Sequence, residues 1–293
     1  MVGSQVSSRC GVDRDSVPVQ YFEHIGIALK VYVQGFLAAP QLSLIHISEP
    51  ETTTQAASEA AAKAQTVTIA AAASLETCLR DELIPLFEKQ NPGITIEGTY
   101  DSSGKLQTQI EEGAGIDVFF SAATKQMDAL NDEGMIQDGS VRNLLENKIV
   151  FIVPTGDEGN YSSFEDIAKA ENAALGDPDS VPVGQYSKEA LTNLGLWDEV
   201  LAKASLGTNV TEVLNWVAEG SAKAGIVYAT DAAQTDKVTI VAEAPEGSVK
   251  KAIYPAGIIK DCENPDGAQK FIDFLASSEA MDIFVKNGFA AAE

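Results

Sequence analysis

The chain has 293 residues, of which 45% are hydrophobic, and its 43 acidic against 20 basic residues give a formal net charge of −23. That is enough apolar side chain for one large or two ordinary packed domains, and a field that repels nucleic acid and anionic membrane. Both histidines, His24 and His46, precede residue 50, so the remainder has no His-based triad, general base or metal ligand, and Cys10, Cys78 and Cys262 lack C-x-x-C spacing.

The first 65 residues differ from the rest. Residues 25–39, IGIALKVYVQGFLAA, are apolar but interrupted by Lys30, too short for a spanning helix and too deep for an ordinary signal peptide. LSLIHISEP (42–50) resembles translated sequencing-adapter sequence, so residues 1–50 are suspected to be artefactual in part and to stand in place of an export signal. Residues 48–65 carry no large apolar side chain and read as a polar tether, as an exported or surface-anchored protein would have.

From residue 66 strands and helices alternate. VTIAAAA (67–73) is a short apolar strand, and Leu75, Leu79, Leu83 and Leu86 or Phe87 then recur at helical spacing, with Ser74 as the expected N-cap. Asn91-Pro92-Gly93 ends that helix, ITIEGTY (94–100) is a strand, and Ser102 or Ser103 caps a helix carrying Leu106 and Ile110. DVFFSAA (117–123) is a buried-type strand, followed by a helix through Met127, Leu130 and Met135. KIVFIVP (148–154) is another strand, and Ser162-x-x-Glu165 reads as a capping box. GDPDSVP (176–182) turns into the helix GQYSKEALTNL, and residues 209–219 form a further helix with Thr208 or Asn209 as cap. GIVY (225–228), VTIVAEA (238–244) and AIYPAGII (252–259) are strands, and one last helix runs from about Pro265 to Val285. The alternation predicts an α/β protein with helices on mainly parallel sheets, large enough for two lobes.

In such sheets ligands gather where strands end and helices begin. GTYDSSGKL (98–106) is a near-miss to a phosphate loop, with five residues between its glycines and Leu106 where a Ser or Thr belongs. Ser74 and the Ser102-Ser103 pair put hydroxyls beside free N–H groups at a helix start, an oxyanion-binding element that needs no formal positive charge. VPVG (181–184) offers N–H groups at Val183 and Gly184, the TNV helix start offers that of Val210, and Tyr228 ends its strand with a phenol. Taken singly, each also has an ordinary reading as a cap, a turn or a core side chain, and Lys105 reads as a solvated lysine.

AAAASL (70–75), YDSSGKLQTQIEEGAGIDVFFSA (100–122), NKIVFIVP (147–154), GDPDSVPVGQYSKEAL (176–191), LGLWD (194–198), GIVYATDA (225–232) and IYPAGIIKDCENPDGAQKFIDFL (253–275) together resemble the molybdate-binding proteins of bacterial molybdate ABC importers, in order and over some 220 residues. The resemblance implies a type II periplasmic-binding fold with two α/β lobes: residues 66–147 plus 240–293, and residues 148–239. It implies an oxyanion held by Ser74, Ser103, Val183, Val210 and Tyr228 without a metal ion or cofactor. The ligand is then molybdate or tungstate, or in an alternative reading sulfate or another tetrahedral oxyanion. The expected partners are ABC permease subunits, the location extracytoplasmic, and the chain monomeric and not an enzyme. Asp101 departs from the small residue usual in the family: tolerable if it points to solvent, and otherwise repelling the anion.

Overall fold

A computed structural model describes residues 65–292, which form two sheets joined by two crossings. The expectations for residues 1–64 lie outside the described residues. The first sheet starts with β1 (Gln65–Ala72), whose buried alternate residues Val67 and Ile69 fix its inner face. A continuous helical run follows: a 3-10 turn at Ala73–Leu75, α1 (Glu76–Cys78), a π turn at Leu79–Leu83 and α2 (Ile84–Gln90). The π turn sits just before Pro85, which has no N–H to continue the α-helical ladder. β2 (Ile94–Asp101), α3 (Ser103–Glu111), β3 (Val118–Phe120), α4 (Thr124–Asp132) and β4 (Arg142–Asn147) come next.

The chain then crosses to the second sheet. It contributes β5 (Ile149–Pro154), 3-10 turns at Glu158–Asn160 and Phe164–Lys169, β6 (Ala173–Gly176), α5 (Pro182–Asn193) and α6 (Trp197–Leu201). β7 (Ala204–Gly207), α7 (Val210–Ala218), β8 (Gly225–Tyr228), α8 (Ala229–Ala232) and β9 (Val238–Glu243) complete that sheet. It returns as β10 (Ala252–Ile258), then α9 (Pro265–Leu275), α10 (Ser278–Lys286) and β11 (Ala290–Ala291). The sheet orders are β11-β4-β10-β3-β1-β2 and β7-β6-β8-β5-β9.

The sheets are mixed rather than mainly parallel. β1 pairs in parallel with β2 and β3, and β6 with β7 and β8. β10 is antiparallel to β3 and β4, and β5 is antiparallel to β8 and β9. Each of these antiparallel pairs includes β5 or β10, the strands on which the chain enters a sheet after a crossing. The return crossing follows Glu243, because β9 pairs with β5; residues 240–243 therefore belong to the second sheet and not, as expected, to the first.

Local capping also differs from expectation. Ala72 precedes the 3-10 turn, and Ser74 lies inside it, its hydroxyl turned to Tyr254 instead of to its own helix. Ser162 bonds Asp166, four residues on, through both its N–H and its hydroxyl, so Glu165 is not its capping partner. The last helix is two: Ser277 accepts the Ala280 N–H and starts α10. α4 ends at Asp132, before Met135. Cys78 and Cys262 are free, and burial pushes the Cys78 thiol up to about 12.

Candidate functional site: helix starts around an interlobe cavity

Six strand-to-helix junctions meet at one small cavity. Its lining comes from Ala72–Ser74 after β1, Asp101–Ser103 after β2 and Ala122 after β3, and from Val181–Val183, Val210 and Tyr228 on the second sheet. Ser74, Ser103, Val183, Val210 and Tyr228, the residues singled out by sequence, all line it. The space is about 10 Å³, close to the least that holds one water and far below an organic-ligand pocket. No Lys, Arg or His side chain is in this lining.

The donors follow from helix geometry. Ser103 and Val210 are the first residues of α3 and α7, and Val183 is the second of α5. Their N–H groups have no intrahelical carbonyl, and the positive ends of three dipoles face the same space. Pro182 at the first turn of α5 costs no hydrogen bond there. Asn209 caps α7 by accepting the Glu212 N–H at 2.9 Å. Gly184 lets α5 sit on the end of β6, since a Cβ there would lie 2.2 Å from the Gly176 carbonyl oxygen.

The hydroxyls are buried and oriented. Ser103 Oγ accepts the Ala122 N–H at 3.0 Å, which leaves its own proton to donate. Ser102 Oγ is buried with no partner. Ser74 Oγ lies 3.0 Å from Tyr254 Oη, which accepts from Asn147 Nδ2 at 3.2 Å. Tyr228 Oη donates to the Ala122 carbonyl at 3.3 Å. Burial pushes the Tyr228 and Tyr254 phenols far above the usual range, so both keep their protons. Asp231, which accepts the Tyr228 N–H at 3.3 Å, is pushed up to about 7 by burial, with that hydrogen bond pulling the other way.

Asp101 lines the cavity, its side chain 27% exposed, and its charge is paired. Its carboxylate accepts from the Ser102 N–H at 2.7 Å, from Lys105 Nζ at 3.2 Å and from Asn209 Nδ2 at 3.3 Å. Lys105 is therefore spent on Asp101 and absent from the cavity lining. The Asn209 contact joins the two lobes. So do Gly104 N–H to the Ser180 carbonyl at 2.9 Å, Gln126 Nε2 to Gln185 Oε1 at 3.3 Å and Thr77 Oγ1 to Gln234 Oε1 at 3.1 Å. The lobes are thus closed over the cavity.

Ala122, Tyr254 and Asn147 were not singled out by sequence. Ala122 follows a buried strand and carries no polar side chain to mark it, and Tyr254 reads as an ordinary strand tyrosine. Asn147 ends a strand whose residues, RNLLEN, show no clean alternation.

Two sheets linked by two crossings, closed on a cavity between their helix starts, make this a two-lobe binding protein of the type II periplasmic class. Its family is that of the bacterial extracellular solute-binding proteins, to which the chain belongs, the family model matching residues 67–290. The Bacillus subtilis (strain 168) protein YvgL, whose name places it among ABC transporter substrate-binding lipoproteins, is 44% identical over 78% of this chain and 88% of its own. The molybdate-binding protein ModA of Haemophilus influenzae is 38% identical over 77% of this chain and 90% of its own. A solved substrate binding domain assigned to a molybdenum ABC transporter from Clostridium difficile is 35% identical, with a TM-score of 0.62, over 78% of this chain and all of that one.

Proposed function

We propose that this protein captures molybdate, and tungstate as well, between its lobes and delivers it to an ABC permease outside the cytoplasmic membrane. The observation that carries the reading is the meeting of Ser74, Ser103, Val183, Val210 and Tyr228 around one cavity with no cationic side chain. A fully ionised tetrahedral dianion presents acceptors only, and first-turn N–H groups and oriented hydroxyls present donors. Monohydrogen phosphate brings a proton that meets a donor, a buried mismatch of about 1–3 kcal/mol. That amounts to roughly one or two decades of discrimination. Sulfate has no such proton and is rejected by size, since a smaller ion leaves the hydrogen bonds long. GTYDSSGKL then reads as part of a free-oxyanion cradle. The names of the relatives support molybdate as the ion. The tether expected at 48–65, whose last residue Gln65 already stands in β1, and a role as a monomer belong to the same proposal.

The test is calorimetric titration of the ligand-free full-length chain with molybdate, tungstate, sulfate and phosphate. Tight molybdate and tungstate binding with weak sulfate and phosphate binding is expected. No heat with molybdate overturns the proposal, and tighter sulfate than molybdate replaces the ligand while keeping the site.

A further inference from the structure

Ser74 is held from behind by groups that do not line the cavity. Ser74, Tyr254, Asn147 and Thr230 are all buried, and their polar atoms form one chain of hydrogen bonds. It begins at Asn147, the last residue before the first crossing between lobes. The Asn147 amide has one orientation, because Oδ1 accepts the Lys148 N–H at 2.9 Å and Nδ2 donates to Thr230 Oγ1 at 2.8 Å. The nitrogen therefore faces Tyr254, and an amide nitrogen can only donate. Tyr254 Oη, with a lone pair occupied, keeps one proton, and the Ser74 oxygen lies 3.0 Å away to receive it. Tyr228, the neighbouring phenol at 5.5 Å between ring centroids, reaches the Ala122 carbonyl at 3.3 Å.

We infer that Asn147 and Tyr254 are positioning residues that determine specificity: the relay Asn147 to Tyr254 to Ser74 makes Ser74 an acceptor from behind and sends its own proton into the cavity. The inference rests on the oxyanion reading above. A hydroxyl left to itself rotates and either donates to a ligand or accepts from one. With Tyr254 donating from behind, the Ser74 proton has no partner on that side and turns to the cavity, so an anion oxygen that carries no proton is its better partner. Selectivity for a fully ionised ion is then written partly into a tyrosine that never touches the ion. The same chain ties the site to the crossing strand and, through Thr230, to α8.

The experiment compares the full-length protein with Tyr254→Phe, Asn147→Asp and Tyr186→Phe. Dissociation constants are measured for molybdate by calorimetry and for monohydrogen phosphate by competition against molybdate at pH 8. Tyr254→Phe removes the proton donated to Ser74. Asn147→Asp offers Tyr254 an acceptor and draws its proton away from Ser74. Both are expected to narrow the phosphate-to-molybdate ratio of dissociation constants at least tenfold, while Tyr186→Phe, which removes a buried hydroxyl outside the relay, leaves the ratio as it is. A structural defect alone weakens both anions by one factor. An unchanged ratio in both relay variants, or failure of phosphate to compete with either, overturns the inference. No molybdate binding by the unsubstituted protein overturns the oxyanion reading itself, and this inference with it.

Discussion

At the scale of single residues, Asp231 is the buried charge that the site does not use. It is 2% exposed, and its carboxylate receives one backbone N–H, from Tyr228, behind the cavity. Burial moves it up to about 7, whereas in the unfolded chain it titrates as an ordinary aspartate near 4. Between those values the folded state holds a proton that the unfolded state has released. Its contribution to stability is therefore full below pH 4, falls as pH rises towards 7 and stays low above. Asp231→Asn keeps an acceptor for the Tyr228 N–H and removes the titration. The variant should match the parent at pH 4 and exceed it at pH 8 by up to about 4 kcal/mol at 1.36 kcal/mol per unit. Urea unfolding at several pH values measures this, and a difference that does not change with pH would sink it. The five expected binding residues were readable in sequence because each stands at a local strand-to-helix junction. Tyr254 was not, because its bonds to Ser74 and Asn147 join positions 180 and 107 residues apart.

At the scale of elements, the glycine spacing of GTYDSSGKL finds a packing cause. A Cβ at Gly98 would lie 2.5 Å from Tyr100 Oη, so the Tyr100 ring covers that glycine. A Cβ at Gly104 would lie 2.3 Å from the Ser180 carbonyl oxygen, the same atom that accepts the Gly104 N–H across the lobes. Gly104 is thus shaped by closure of β6–α5 over α3 and not by a phosphate. Alanine suits the first turn of a helix better than glycine, by up to about 1 kcal/mol. Gly104→Ala should therefore leave the ligand-free protein as stable or more so, while the clash with Ser180 weakens molybdate binding at least tenfold. Thermal melts and calorimetry on one preparation separate the two effects, and unchanged affinity would show that the lobes bind without this contact. The long amphipathic helices were legible for the usual reason of period. The strands β6 and β7 were not, since four residues such as AALG or ASLG show no alternation to distinguish them from a turn. The break at Ser277 was hidden because α9 and α10 carry apolar faces close to one continuous period, and only the cap on Ala280 divides them.

At the scale of the whole molecule, charge and site oppose each other. The chain carries a formal −23, and the proposed ligand is a dianion. Affinity then comes from short-range donors inside a closed cavity, where salt screens little, while approach takes place through solvent, where salt screens strongly. At low ionic strength the protein's field repels the arriving ion, and raising salt from 10 to 150 mM shortens the Debye length from about 30 to about 8 Å. The association rate constant for molybdate should therefore rise several-fold over that range, the opposite of a site that steers its ligand with lysines and arginines. Dissociation breaks hydrogen bonds in a space sealed by Gly104–Ser180 and Asp101–Asn209, so its rate should change little with salt. Stopped-flow mixing with intrinsic fluorescence as the signal measures both constants. An association rate that falls with salt would mean that a local positive field outweighs the net charge at the cleft mouth. The acidic side chains Glu76, Glu212 and Glu219 line a surface pocket beside Ala73 and Asn209 and add to the repulsion on that side of the site.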